Sequence, residues 1–183
     1  IMRAGQHYGV GAAAIGLDPE PDDAAGRAAT AFWSGLGRGW ALGGATGRRA
    51  DDLGRLNDVM RWYLHDALIH YTAPHGLEQS SGAAWGVRDA CQGPVELLLA
   101  TGAGARVRDV IRLVYEHQFR GSGGWPQWFM VDRYREVQAV GSHGDVIYWP
   151  IQALCDYVEA TGDLTILEEQ VPYTDEDTLA RTA

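Results

Sequence analysis

Lysine is absent: all 15 basic side chains of the 183 residues are arginine, set against 24 carboxylates for a net charge of −9. An acidic balance of this size provides no basic surface for a phosphate backbone, which argues against a nucleic-acid partner. Also absent is any apolar run approaching the ~18 residues of a membrane-spanning helix, so no membrane partner is expected. Cysteine is scarce. Cys91 and Cys155 lie far apart within helical patterns, with neither metal-ligand spacing nor a disulfide framework, and read as core thiols of a reducing, cytoplasmic compartment. The stretch Gly9 to Gly16 is too short and too rich in glycine for a signal-peptide core. Ile1 stands where a start methionine is usual, and Thr174 to Ala183 is an ordinary polar stretch with no terminating motif, so the sequence reads as a piece of a longer protein.

What is present is the composition of a globular protein, 46% hydrophobic and 21% charged, which is enough to build a core. Asp18-Pro19-Glu20-Pro21-Asp22-Asp23 is a turn leading into acidic residues, and a helix is expected from Ala24 to about Leu36. Leu53, Leu56, Met60, Tyr63 and Ala67 recur at helical spacing, giving a long helix over Asp51–Tyr71. Pro74 and Gly76 then open a polar loop, Thr72 to Gly82, carrying His75, Glu78 and Gln79. Further helices are expected over Ala84–Ala100, kinked by Pro94, and over Ala105–Phe119, with Val107, Val110, Ile111 and Val114 on one side. After a glycine turn at Arg120–Gly124, Trp125–Ala139 loses the helical period and reads as extended chain or a long loop. A helix resumes over Asp145–Thr161, and Leu164–Glu169 adds a short helical turn.

The order helix, loop, helix, helix, long loop, helix, with little strand, makes the fold class all-α. Paired helices joined alternately by short and long loops suit an α/α toroid whose long loops gather at one rim. Two regions are expected: a loosely organised segment over residues 1–45 with one helix, and the barrel-forming part over 46–183.

Three clusters near loops could carry chemistry: His75 to Gln79, Trp85 to Gln92, and Trp125 to Asp145. The last two combine tryptophan with carboxylates and arginine, the chemistry of a sugar pocket, where aromatic faces cover C–H surfaces and charged groups bind hydroxyls. The alternative is that each tryptophan is core and the charges are solvated surface. Asp145, following Ser142-His143-Gly144 and preceding an apolar run, also fits a helix N-cap. Arg88-Asp89 fits an exposed charged pair, although Trp85, Val87, Ala90 and Cys91 around it are apolar and favour burial with partners. His65 and His70 are wrongly spaced to share a helix face, and no Glu-x-x-His pattern occurs, so no metal site is expected. Cys91 has no orienting histidine at a recognisable spacing and reads as packing.

Two strings, GAAWGVRDACQGPVELLLATG and SHGDVIYWPIQALCDYVEATGD, resemble the best-marked stretches of glycoside hydrolase family 94, which holds cellobiose, chitobiose and 1,2-β-oligoglucan phosphorylases. The likeness covers roughly residues 50 to 173 and is strongest to the last group. It implies a partial (α/α)6 barrel that further helices of the full-length chain complete. The implied activity is inverting, reversible phosphorolysis of β-linked gluco-oligosaccharides, of the 1,2-β type, to α-glucose 1-phosphate. Oligosaccharide and inorganic phosphate are the implied partners, with phosphate as co-substrate and no other cofactor. By the same resemblance Asp145 is the general acid, and Arg88 and Asp89 grip the donor sugar. Trp85, Gln127, Trp128, Asp132, Arg133 and His143 join them as candidate substrate contacts.

The chemistry of a single acid is coherent. An inverting hydrolase needs a second carboxylate to activate water, whereas phosphate is already a nucleophile. The acid must hold its proton near neutral pH, which calls for apolar cover, for which Tyr148, Trp149, Trp125 and Trp128 are candidates. Many relatives carry two adjacent carboxylates where this chain has Gly144-Asp145. An arginine that helps hold phosphate in the cellobiose and chitobiose enzymes is replaced here by the stretch Glu78-Gln79-Ser80-Ser81-Gly82. Two other readings stay open: an inverting hydrolase with Glu78 or Asp89 as base, and a carbohydrate-binding piece without catalysis.

Overall fold

The computed structural model describes residues 23–36, 41–44, 46–72, 84–139 and 141–182. The polar loop carrying His75, Glu78 and Gln79 lies outside the described residues, as does the Gly/Ala-rich start. The fold is mostly helical, with one small two-stranded antiparallel sheet. Among the described residues no helix is long and apolar enough to cross a membrane.

The chain divides into two compact units, Ile1–His65 and Asp66–Ala183. The first holds α1 (Asp23–Leu36) and most of α2 (Arg48–Tyr71). The Asn57 side chain clamps the chain ahead of α2, accepting from the Leu42 N–H at 2.8 Å and donating to the Leu42 carbonyl at 2.9 Å. Trp33 and His65 bring their rings to 4.2 Å.

The second unit contains the main core. Expected as one helix, residues 84–100 instead form three elements: strand β1 (Ala84–Gly86), α3 (Val87–Cys91) and α4 (Gly93–Ala100). The break lies at Gln92, whose ψ of −110° is not helical, two residues before the Pro94 that opens α4. Proline at the second helical position costs no hydrogen bond, so it starts this helix rather than kinking it. A Cβ at Gly93 would come within 2.8 Å of the Tyr71 hydroxyl, so that side chain would have to shift. α5 runs Gly104–Tyr115, four residues shorter at its end than its apolar pattern predicts, and buries Val107, Val110, Ile111 and Val114 at i, i+3, i+4 and i+7. Trp125–Ala139 is extended as expected and contains β2 (Trp128–Met130), then a 3-10 turn at Asp132–Tyr134. α6 (Tyr148–Thr161) begins three residues later than expected and buries Pro150, Ala153 and Tyr157 against α3 and α5. Cys91 is buried as expected, but Cys155 is exposed on α6, which corrects its reading as a core thiol.

α6 stops at Gly162, whose φ of +69° is the left-handed turn glycine permits, and its N–H bonds back to Val158. Asp163 then starts the 3-10 turn Leu164–Glu168 by accepting from the Thr165 backbone and hydroxyl. Arg108 of α5 donates to Asp163 and Glu169, and Arg112 reaches Glu169 at 2.8 Å. Thr165 foremost, then the Tyr157 hydroxyl, hold the Asp163 carboxyl down at about 2. This ion cluster locks the chain after α6 onto α5.

His117 is buried, with its ring stacked on Phe129 at 3.5 Å between centroids. Its two nitrogens have opposite roles. The Leu113 carbonyl, 2.8 Å from Nδ1, can only accept, and Arg181, 2.9 Å from Nε2, can only donate. The ring is therefore neutral, with its proton on Nδ1. Burial chiefly, with the Arg181 charge adding to it, lowers its pKa to about 4, against the backbone bond that raises it. The unfolded chain therefore takes up this proton first, and stability falls as pH drops from 6.5 through about 4. The loss from this group is expected to reach roughly 3 kcal/mol, at about 1.4 kcal/mol per pH unit. Denaturant melts over that range should show the decline, and His117→Phe should flatten it.

Candidate functional site

Three elements converge on Asp145. β1 and β2 pair antiparallel with Ala84 opposite Met130, Trp85 opposite Phe129 and Gly86 opposite Trp128. The ladder continues one bond further, from the Val87 N–H to the Gln127 carbonyl at 3.0 Å, so α3 begins where the pairing ends. Arg88, second in α3, thereby emerges beside the chain that holds Gln127. On the other edge of β2, Gln127 and Met130 donate to Ala139 and Val137 and Trp128 accepts from Ala139, which directs the chain back towards 141–147. α6 packs on α3 and presents its own start to the same place.

The Asp145 carboxyl accepts from Arg88 Nη1 at 3.4 Å and from the indole Nε1 of Trp149 at 3.3 Å. Trp149 lies one turn along in α6, and its half-buried ring packs against the core. The Trp149 N–H foremost, and Arg88 with its charge, bring the carboxyl below its ordinary range against a smaller opposing effect of burial. Asp145 is not a helix cap. Ile147 occupies the N-cap of α6 with no side-chain cap, and Asp145 contributes only its carbonyl, to the Tyr148 N–H. The side chain is thus free of the commonest structural duty at such a position, and it is about half exposed, 48%.

Two residues earlier, His143 stands 3.1 Å from the Gln127 side-chain nitrogen, ring to amide. Arg88, Gln127, His143 and Asp145 are therefore gathered around one loop. Asp89 is exposed, and no partner for it exists among the described residues. Trp128 is half-buried in β2. Trp85 is only 5% exposed, in strand rather than helix, and its indole N–H has no partner among the described residues. It packs in the core and lines a separate pocket of about 240 Å³ between the end of α2, α4 and α5, whose walls include none of the other site residues. Asp132 and Arg133 are exposed in the 3-10 turn beyond β2. Asp132 takes a left-handed φ of 55°, and the Arg133 guanidinium lies over the Tyr134 ring at 4.7 Å. Reading the sequence for carboxylates and arginine passed over the bond from Trp149, although its place at i+4 from Asp145 on a helix start was a signal for it.

Among the described residues no group of three or more His, Cys, Asp or Glu gathers as a metal site would require. Burial pushes the Cys91 thiol up to about 12, so it is a poor nucleophile. What the cluster can do is position one carboxyl group, half open to a ligand, between a cation and an indole N–H.

No protein-family model matches the chain. Over 123 residues, 67% of its length, it is 51% identical to a 1,2-beta-oligoglucan phosphorylase of Listeria innocua serovar 6a. The match spans 11% of that protein. The resemblance to the glycoside phosphorylases therefore holds, and the chain corresponds to a small part of a much longer relative.

The Arg88–Asp145 pair is long and exposed, so it orients more than it stabilises. Arg88→Met is expected to change stability by less than about 1 kcal/mol in denaturant melts. NMR titration of the Asp145 carboxyl should nonetheless move upward, part of the way to an ordinary aspartate.

Proposed function

We propose that this chain carries the general acid and donor-sugar contacts of an inverting glycoside phosphorylase. The reaction is reversible phosphorolysis of β-linked gluco-oligosaccharides, of the 1,2-β type, to α-glucose 1-phosphate. The observation that carries the reading is the Asp145 carboxyl, half open and held by Arg88 and Trp149 without capping α6. Asp145 gives its proton to the departing glycosidic oxygen while phosphate attacks the anomeric carbon from the opposite face. Phosphate needs no base, so one acid suffices. Inorganic phosphate is the co-substrate, with neither metal nor organic cofactor, and the setting is cytoplasmic.

Arg88 and Asp89 bind hydroxyls of the donor sugar, the guanidinium giving paired N–H donors and the carboxylate accepting. Gln127 and His143 supply further polar contacts, with the Trp128 ring, Asp132 and Arg133 towards the acceptor. The proposed scaffold is part of an (α/α)6 barrel. This is supported by the outer face of α6, where Ile147, Tyr148 and Ile151 are exposed together with Leu164 and Leu167 of the following turn. Further helices of the whole protein cover that face in the barrel.

In the whole protein, sophoro-oligosaccharides with phosphate should yield the sugar phosphate. Equal sugar release with and without phosphate would instead identify a hydrolase, and binding of oligoglucans without turnover a carbohydrate-binding role. Asp145→Asn should lower kcat on the oligoglucan by at least ~10²-fold, the usual worth of general acid catalysis. Fluoride ion leaves β-glucosyl fluoride without protonation, so its phosphorolysis should be far less affected. Parallel losses on both substrates, or none, would remove Asp145 from the role of acid.

A further inference from the structure

A carboxylic acid can deliver its proton from either oxygen, and the two point in different directions. Around Asp145 they are not equivalent. Arg88 Nη1, at 3.4 Å, and Trp149 Nε1, at 3.3 Å, both meet Oδ2, and no other described side chain donates to the carboxyl. With two N–H donors on Oδ2, a proton is more readily accommodated on Oδ1.

The two donors differ in how firmly they hold. Arg88 is a long side chain, 42% exposed, and under the proposed function it also serves the sugar. Trp149 is fixed at both ends: its backbone lies in the first turn of α6 next to the buried Pro150, and its ring packs against the core. Indole is a donor only, so its role does not change when Asp145 gains or loses a proton. The charged group bonded to Asp145 from α3 is Arg88, and the titratable group on its own loop, His143, is engaged by Gln127.

We infer that Trp149 is a positioning residue: its indole N–H holds Oδ2, sets the rotation of the Asp145 carboxyl, and leaves Oδ1 to carry the transferred proton. This rests on Asp145 being the general acid.

Trp149→Phe in the whole protein keeps an aromatic ring in the core and removes the N–H. The expected result is a fall of about tenfold in kcat on the oligoglucan, the scale of one hydrogen bond to a charged group. KM for the oligoglucan should stay within about twofold, and β-glucosyl fluoride should be turned over as before. The alkaline limb of the kcat profile should shift to higher pH, because a donor that favours the ionised carboxyl is gone. An unmoved limb with equal losses on both substrates would mean that Trp149 only supports the fold, and would overturn the inference. Should the variant fail to fold, the wild-type protein still decides. The Trp149 indole ¹⁵N–¹H resonance should follow the Asp145 titration and become independent of pH over that range in Asp145→Asn, whereas a resonance that does not follow it overturns the inference. If Asp145→Asn fails the fluoride comparison, the acid reading falls. If it passes and Trp149 shows neither signature, only the positioning role falls.

Discussion

The pairing of Ala84–Gly86 with Trp128–Met130 is the constraint on which the site depends. It joins segments more than forty positions apart in the chain, and closing that loop has an entropic cost that three residue pairs of hydrogen bonds do not obviously meet. Burial supplies the difference. Trp85 and Phe129 face each other in register, both almost wholly removed from water, and the far side of Phe129 is covered by the His117 ring. Full burial of one such aromatic is worth roughly 2–3 kcal/mol. Because the ladder ends on the bond from Val87 to Gln127, the first turn of α3 and the loop carrying His143 and Asp145 are brought to the same place. A one-residue slip would put Trp85 and Phe129 on opposite faces, turning one of them outward, and would take Arg88 away from Asp145.

That strand is also where the sequence misleads. Ala84-Trp85-Gly86 runs without interruption into Val87-Arg88-Asp89-Ala90-Cys91, and over so short an apolar stretch periodicity cannot separate strand from helix. Its state is decided by a partner distant in sequence. Where the core is built from neighbours along one helix, the pattern was legible: Val107, Val110, Ile111 and Val114 are buried as their spacing predicts, and α1 and α2 lie close to their expected bounds. Most of the string E-A-T-G-D serves to end α6. Thr161 bonds back to the Tyr157 carbonyl, Gly162 supplies the left-handed turn, and Asp163 starts the next turn while binding Arg108. None of those residues touches Asp145, so a stretch that marks the resemblance does so by ending a helix.

The candidate residues divide in the same way. Asp145 and Arg88, paired in the structure, were singled out for their chemistry and by resemblance, and Gln127 and His143 meet each other although nothing in their spacing required it. Trp85 illustrates the opposite case. A tryptophan beside an arginine and an aspartate resembles a sugar platform, but the strand that holds it is buried throughout and its ring packs in the core. His117 drew no attention in the sequence because a lone histidine after a helix has no signature. Only the stack on Phe129 and the bond from Arg181 reveal what it holds together.

The remaining tension lies in the role proposed for Asp145, since Trp149 and Arg88 favour its ionised form while a general acid must carry a proton. The two demands meet if the reaction runs in both directions. Under the proposed function the group would donate in phosphorolysis and accept the proton of the incoming hydroxyl in synthesis, so neither form would be favoured strongly. An open carboxyl that ionises readily is suited to the second task. In that proposal a sugar lying over it would remove water and engage Arg88, and both changes would raise its affinity for a proton. The indole bond to Oδ2 does not depend on either change, and in the proposed role it would keep the carboxyl aimed while its charge comes and goes. A donor-only group with no charge of its own is suited to this position: a second cation would hold the carboxyl ionised, and a hydroxyl could turn to accept.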